Sequence, residues 1–311
     1  MSQTVLVTGC SSGIGFATAR AFLAAETDWR VYATARDRDR DGLTTLADRG
    51  ADVAALDLTD PDDIERVVTR IREEAGGVDC LVNNAGYGQF GPLEDLPTDR
   101  LEEQFTVHCF GPHRLIRTIL PGMRDRGGGR IVNVTSAADR LALAGIGGYN
   151  ASKWAMAGLS DALRQELAGT SVDVVVVQPG IVTTPFYERV AAEVDDIEAS
   201  ASASPHTDCY RVLGHLRALE GGGPLINDPD RVARTIHEAA SVSSPSAYYR
   251  VGPLPLLGSL YGTLLPAALR DRLTSLGLRI AASEPVLALL ERRIPTSSAG
   301  SSAPESTDRS D

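Results

Sequence analysis

The sequence predicts an α/β fold built on a doubly wound parallel sheet, and three observations carry that expectation. Short apolar runs alternate with helix-like segments from the first residues onward. Several runs are apolar without a break, as parallel strands covered on both faces require. A glycine-rich turn joins the first run to the first helix, and strands alternating with helices imply right-handed βαβ crossovers.

The elements follow in order. A strand over Thr4–Thr8 leads through the turn into a helix over Ile14–Ala25. Further strands are expected at Arg30–Ala35, Asp52–Leu56, Asp79–Asn83, Arg130–Thr135 and Val172–Gln178, with a last one near Ala247–Val251. Helix patterns lie between them at Asp62–Ala75, Leu101–Met123 and Tyr149–Leu167. Asp60-Pro61 and Asp228-Pro229 each set a carboxylate N-cap before proline at the first helical position. Residues 186–223 read as irregular, with small residues at Ala199–Ser204, and suit a mobile substrate lid. A helical extension over 254–294 completes a single domain, 1–294. The Ser, Ala, Thr and Asp run of 295–311 lacks apolar anchors and reads as a disordered tail.

Composition narrows the function. The 311 residues are 43% hydrophobic and 23% charged, which suits a globular chain. A net charge of −11 argues against nucleic acid as a partner, since that needs a basic footprint. Cys10, Cys80, Cys109 and Cys209 show neither metal-ligand nor disulfide-framework spacing, so reduced thiols in a cytoplasm are expected. Met1–Gly9 lacks the basic n-region of a signal peptide. The apolar stretch Val251–Leu269 is broken by Pro253, Pro255, Gly258, Gly262 and Pro266, so it is not expected to span a membrane.

Two chemistries compete for the turn Thr8-Gly9-Cys10-Ser11-Ser12-Gly13-Ile14-Gly15. Glycines there let the backbone turn tightly and approach a pyrophosphate seated on the helix N-terminus. Gly9-Cys10-Ser11-Ser12-Gly13 also matches G-x-S-x-G, the nucleophile elbow of α/β-hydrolases, with Ser11 as nucleophile. That elbow needs several strands before it, and here one precedes it, so the dinucleotide reading is preferred.

Further motifs stand in order along the chain: Asp57 after the third strand, Asn83-Asn84-Ala85-Gly86 after the fourth, and Ser136 after the fifth. Tyr149-x-x-x-Lys153 and Pro179-Gly180 with Thr184 follow. In these the sequence, from about residue 3 to 252, resembles the short-chain dehydrogenase/reductases. The TGCSSGIG turn and the long C-terminal extension resemble the 17β-hydroxysteroid and retinol dehydrogenase-like members. The resemblance implies a Rossmann fold and a nicotinamide cofactor. It implies cofactor contacts at Gly9, Ser11, Ser12, Gly13, Ile14, Gly15, Asp57, Leu58, Asn84, Ala85, Gly86, Pro179, Gly180, Val182 and Thr184, besides Tyr149 and Lys153.

Four residues apart on one helix, Tyr149 and Lys153 project from one face. A free tyrosine has a pKa of about 10; an ammonium nearby and a positive nicotinamide ring favour the phenolate. Lys153 is the only lysine in the chain, and the family uses it on the nicotinamide ribose as well. Ser136, ending its strand at the sheet's carboxyl edge, is expected to orient a substrate carbonyl, whereas alternation sends Thr135 to the opposite face. One departure stands out: the family's Asn in N-x-x-G is His108 here, in His108-Cys109-Phe110-Gly111. His108 is a catalytic candidate that either keeps the helix kink or joins a proton relay through its imidazole.

At the end of the second strand, Arg36 stands where NADP-preferring relatives meet the 2′-phosphate, with Arg38 and Arg40 nearby. NADP(H) is therefore the expected cofactor, although Asp37 would suit NAD. Asp37-Arg38-Asp39-Arg40-Asp41-Gly42 with Asp48 has EF-hand spacing, yet a strand precedes it and arginines interleave it, so a solvated turn and helix cap are expected. His206, His215 and His237 show no zinc spacing, and no metal site is expected. The Leu-rich stretch 254–278, with Arg270, Arg272 and Arg279 near its end, could cover the substrate crevice, join a subunit or rest peripherally on a membrane. Ordinary packing is the preferred reading.

The expected function is a cytoplasmic NADP(H)-dependent alcohol dehydrogenase or carbonyl reductase, a homo-oligomer acting on a lipophilic alcohol or ketone. The alternative is a non-catalytic NADP-binding sensor, motivated by His108.

Overall fold

The computed structural model describes residues 2–26, 28–201, 203–221, 223 and 225–291. The expected tail at 295–311 and the end of the extension lie outside the described residues. The strands are β1 (Gln3–Thr8), β2 (Trp29–Ala35), β3 (Asp52–Ala55), β4 (Cys80–Asn83), β5 (Gly129–Val134), β6 (Val172–Pro179), β7 (Ile181–Val182), β8 (Ile226–Asn227) and β9 (Tyr248–Val251). Seven form one sheet in the order β3-β2-β1-β4-β5-β6-β9, every pair parallel, while β7 and β8 pair separately. The strand order reverses between β1 and β4, and in such sheets ligands bind in the crevice outside the carboxyl ends at that point.

The helices are α1 (Gly13–Leu23), α2 (Asp41–Asp48), α3 (Pro61–Ala75), α4 (Thr98–Phe105), α5 (Gly111–Asp125), α6 (Gly147–Glu166), α7 (Phe186–Ser200), α8 (Thr207–Leu213), α9 (Pro229–Ser241), α10 (Leu254–Leu264), α11 (Ala267–Ala281) and α12 (Glu284–Glu291). The unbroken apolar runs are explained by two cores. Val5 and Val7 of β1 pack on one face with Phe22 of α1 and Val232 and Ile236 of α9. Leu6 between them packs on the other face with Ile64, Val67 and Ile71 of α3, Leu115 of α5 and Met156 of α6. Full burial of each such aliphatic side chain contributes roughly 1.5–3 kcal/mol. The capped helices start as expected: Asp60 accepts from the Asp62 N–H at 2.9 Å, and Asp228 from the Asp230 N–H at 2.7 Å.

Two segments depart from expectation, and a third, with the spacing of an EF-hand loop, keeps to it. The long fourth helix is interrupted: a π-helical turn at Thr106–Phe110 separates α4 from α5. The widened turn accompanies a close approach, since a Cβ on Gly111 would lie 2.6 Å from Leu58 Cβ. The irregular lid is largely helical instead. Val190, Ala191, Val194 and Ile197 bury one face of α7, a 3.6-residue periodicity that the small-residue run after it obscured. The EF-hand-like segment is a turn followed by α2, whose helical backbone cannot wrap a cation as a calcium loop does.

The extension forms α10–α12. Pro255 and Gly258 of α10 are buried, but Leu256, Leu257, Leu260 and Leu264 stay exposed. On α11, Leu269, Leu273, Leu276 and Ile280 make a second exposed stripe, and no residue of that helix is buried. No single helix among the described residues is long and apolar enough to cross a membrane; α11 and α12 reach that length only together, bent by 68°.

Candidate active site

The glycine-rich turn is held from below by the end of β4. Thr8 Oγ1 donates to the Val82 carbonyl at 3.3 Å and accepts from the Asn84 and Ala85 N–H groups, each at 3.0 Å. Asn84 Nδ2 returns a bond to the Thr8 carbonyl at 2.9 Å. The glycines are required by space as well as by conformation. Gly9 has φ +76° and a Cβ there would lie 2.7 Å from Ala85 Cα; a Cβ on Gly15 would lie 2.2 Å from the Gly9 carbonyl oxygen. The backbone is thus compact enough for α1's first N–H groups to approach a diphosphate, and the residues present fit a dinucleotide.

Around this turn lie the other expected contacts. Arg36 follows β2 and is exposed, whereas the Asp37 carboxylate is spent locally, accepting from the Asp39 N–H at 3.0 Å and pairing with Arg40 at 3.3 Å. Asp57 accepts from the Thr59 N–H at 2.8 Å, and Leu58 beside it is buried. Pro179 ends β6, the Gly180 N–H donates to the Val251 carbonyl at 3.0 Å, and buried Val182 lies in β7. Thr184 reaches the turn itself: a Cβ on Gly13 would lie 3.0 Å from Thr184 Cγ2. Gly42, the second residue of α2, packs on the Ser11 carbonyl, which a Cβ would approach to 2.2 Å. Ser11 therefore belongs to a turn between the first strand and first helix at the sheet's reversal point, without the preceding strands that a hydrolase elbow requires.

Ser136, Tyr149 and Lys153 come together at the carboxyl edge of β5. Ser136 directly follows that strand, and its hydroxyl accepts from the Ala138 N–H at 3.1 Å and hydrogen-bonds to the Tyr149 phenol. Lys153 Nζ donates to the Val134 carbonyl at 3.2 Å and lies 5.7 Å from the Tyr149 ring centre. Burial pushes Lys153 down to about 8 and Tyr149 up to about 12, the Ser136 hydrogen bond opposing the latter. In the free chain, burial thus outweighs the phenolate stabilisation expected from the Tyr-Lys spacing, and Tyr149 is a protonated acid at neutral pH. Thr135 turns the other way, as alternation requires, donating to the Asp139 carboxylate at 2.6 Å.

His108 sits in the π turn and is fully committed. Its Nε2 accepts from the Tyr87 N–H at 3.1 Å, which places the ring proton on Nδ1, 2.8 Å from Ser152 Oγ. Ser152 in turn donates to the Tyr149 carbonyl at 2.8 Å. Burial, then the Lys153 charge, hold His108 well below the usual imidazole range, so it is neutral. One nitrogen ties the π turn to α6 through Ser152 and the other ties it to the loop after β4 through the Tyr87 N–H, which favours the kink role over proton carriage. His108→Asn should therefore leave kcat within about threefold and its pH profile unchanged. A fall of ~10²-fold with loss of a titration on the acid side of the profile would assign the proton to the imidazole.

Two site residues carry no sequence signal because their partners are loop carbonyls or distant strands. Asn150 clamps the loop after Ser136, donating to the Ala138 and Leu141 carbonyls at 2.8 and 2.6 Å and accepting from the Leu143 N–H at 3.1 Å. Asp139, buried, accepts from Thr135 and from Gln178 Nε2 at 2.6 Å; burial pushes it up to about 6. The four thiols are buried, and burial raises each of them, Cys10 and Cys80 to about 12 and Cys109 to about 11, so none is a nucleophile.

Comparison with known proteins identifies the family. Residues 3–195 match the family short chain dehydrogenase. Retinol dehydrogenase 8 of Bos taurus is 33% identical over 89% of this chain and 94% of its own length. Human 17-beta-hydroxysteroid dehydrogenase type 1 is 31% identical over 80% of this chain and 77% of its own. The crystal structure of a short chain dehydrogenase/reductase from Burkholderia phymatum, in complex with NAD, superposes with a TM-score of 0.71 at 25% identity, covering 83% of this chain and 92% of that one.

Proposed function

The chain belongs to the short-chain dehydrogenase family of NAD(P)-dependent oxidoreductases, related to its 17β-hydroxysteroid and retinol dehydrogenase-like members, and from that membership we propose that it is an NADP(H)-dependent alcohol dehydrogenase or carbonyl reductase acting on a lipophilic alcohol or ketone. The observation that carries the proposal is the convergence of Ser136, Tyr149 and Lys153 beside the glycine-rich turn. When bound, the nicotinamide supplies or accepts the hydride.

Every other step belongs to the chain. Ser136 donates to the substrate oxygen and holds it against the developing alkoxide charge. Tyr149, protonated at neutral pH, gives its phenolic proton to that oxygen in reduction and takes it back in oxidation. Lys153, fixed by the Val134 carbonyl, keeps a cation beside the phenol and would give its remaining N–H donors to the nicotinamide ribose. Asn150 and His108 are positioning residues, the first for the Ser136 loop and the second for the turn behind Tyr149. The sensor reading drew its motive from His108, and that residue's bonds to the Tyr87 N–H and Ser152 weigh against it by supporting a positioning role.

Lipophilic substrates are supported by the wall around Tyr149. Its ring meets Phe90 at 5.3 Å and Phe186 at 5.9 Å between centres, and Val190, Val194 and Leu213 of the lid helices pack in the same cluster. A screen of ketones and alcohols followed by NADPH absorbance tests the proposal. Turnover is expected for apolar ketones, and inactivity across the panel despite tight NADPH binding would return the sensor reading.

NADP preference rests on exposed Arg36 and on the local engagement of Asp37. Arg36→Leu should weaken NADPH roughly 10- to 150-fold and NADH little, the worth of a charge-assisted bidentate contact. Equal losses for both cofactors would remove Arg36 as the discriminator. We place the chain in the cytoplasm on its four free, buried thiols, and read it as a homo-oligomer.

A further inference from the structure

We propose that Arg189, on the lid helix α7, is a phosphate latch: it grips the cofactor's pyrophosphate and thereby ties closure of the lid to cofactor loading. The inference rests on the reading of a nicotinamide dinucleotide at the glycine-rich turn.

The sequence brings Arg189 no attention, since it lies five residues beyond Thr184 in a segment without a motif. The fold carries it to the turn. Its Nη2 donates to Ser12 Oγ at 2.9 Å, across 177 residues of chain. Ser12 is the N-cap of α1, yet its side chain caps no backbone N–H of that helix, so the hydroxyl is left to the guanidinium. The first N–H groups of α1 and the positive end of its dipole converge at this point, where a diphosphate binds.

Three features suit Arg189 to that anion. Its Nε donates to the Pro185 carbonyl at 3.2 Å, which fixes the base of the fork, while the other donors are unengaged among the described residues. Among the described residues its side-chain partner at the turn is the neutral Ser12 hydroxyl, while the α7 carboxylates Glu193 and Asp196 pair with Arg100 instead. The chain carries a net charge of −11, so an anionic cofactor needs local cations to enter, and Arg189 supplies one that Arg36 at the end of β2 does not duplicate.

The coupling follows from α7. Phe186, one turn before Arg189, faces the Tyr149 ring, and Val190 and Val194 pack into the same apolar wall. In the free chain the Ser12 hydroxyl is a neutral partner for Arg189. A diphosphate oxygen replaces it with a charge-assisted bond, stronger by about twofold, and α7 is held more firmly over the substrate wall. Exchange of one acceptor for another breaks and forms hydrogen bonds only, with no covalent change.

The test measures NADPH and NADH binding by their fluorescence on the full chain, with Arg189→Ala and Arg189→Lys, and follows backbone hydrogen exchange of residues 186–200. Arg189→Ala should weaken both dinucleotides alike, by roughly tenfold at low salt and less as salt rises. Arg189→Lys should recover part of the loss, because charge remains and the fork does not. Either cofactor should slow exchange along α7 in the natural chain and slow it less in Arg189→Ala. Unchanged affinity in both variants, or α7 protection that survives Arg189→Ala, overturns the latch. Loss confined to NADPH overturns it too, by moving Arg189 to the 2′-phosphate. A natural chain that binds neither dinucleotide overturns the cofactor reading itself.

Discussion

Tyr149→Phe is expected to lower turnover by ~10²–10⁴-fold while leaving NADPH affinity within about twofold, because it removes only the transferable proton. The surroundings make the expectation specific. The phenol is held up at about 12 by burial and is bonded to Ser136, so at neutral pH it stands ready as the acid for carbonyl reduction. Phenylalanine keeps the packing against Phe90 and Phe186 and discards the hydroxyl alone. The direction of pH dependence follows. Oxidation needs the phenolate, so its rate should climb as pH rises toward the tyrosine's value; reduction needs the phenol and should fall over the same range. Activity within a fewfold of the natural chain, or an oxidation rate that declines with alkalinity, would remove Tyr149 from the role of acid and base.

Ser136→Ala should cost ~10²–10³-fold in kcat with a smaller change in KM, since one donor aimed at the developing oxyanion is lost where the transition state needs it most. The loop itself should survive. Asn150 binds the Ala138 and Leu141 carbonyls independently of the serine, and the Asp139 N–H reaches the Ser136 backbone carbonyl at 3.0 Å. An unchanged kcat would sink the carbonyl-orienting role. A large rise in KM alone would recast Ser136 as a ground-state contact.

These two residues were legible early because their signals are local and chemical. Ser136 ends an apolar run, and Tyr149 and Lys153 share one helical face at i,i+4 spacing. Arg36 and Thr184 stood out only through the family resemblance, by their places after the second strand and after Pro179-Gly180. The glycine turn was readable because a close backbone approach leaves no room for a Cβ, a constraint written directly into composition at Gly9, Gly13 and Gly15.

What the sequence by itself determined, then, was the alternation of strand and helix, the parallel sheet and the placement of chemistry at strand ends. Each depends on periodicity or on steric demands that act within a few residues. Only the tertiary structure decided the rest. The π turn at Thr106–Phe110, the clamp of Asn150 and the helical character of 186–200 depend on long-range neighbours. Whether His108 carries a proton was undecidable from its identity, because an imidazole's charge and free nitrogens are set by burial and by partners such as the Tyr87 N–H and Ser152 Oγ. Arg189 meets Ser12 across 177 residues, and no local pattern records a contact that exists only once the chain has closed upon itself.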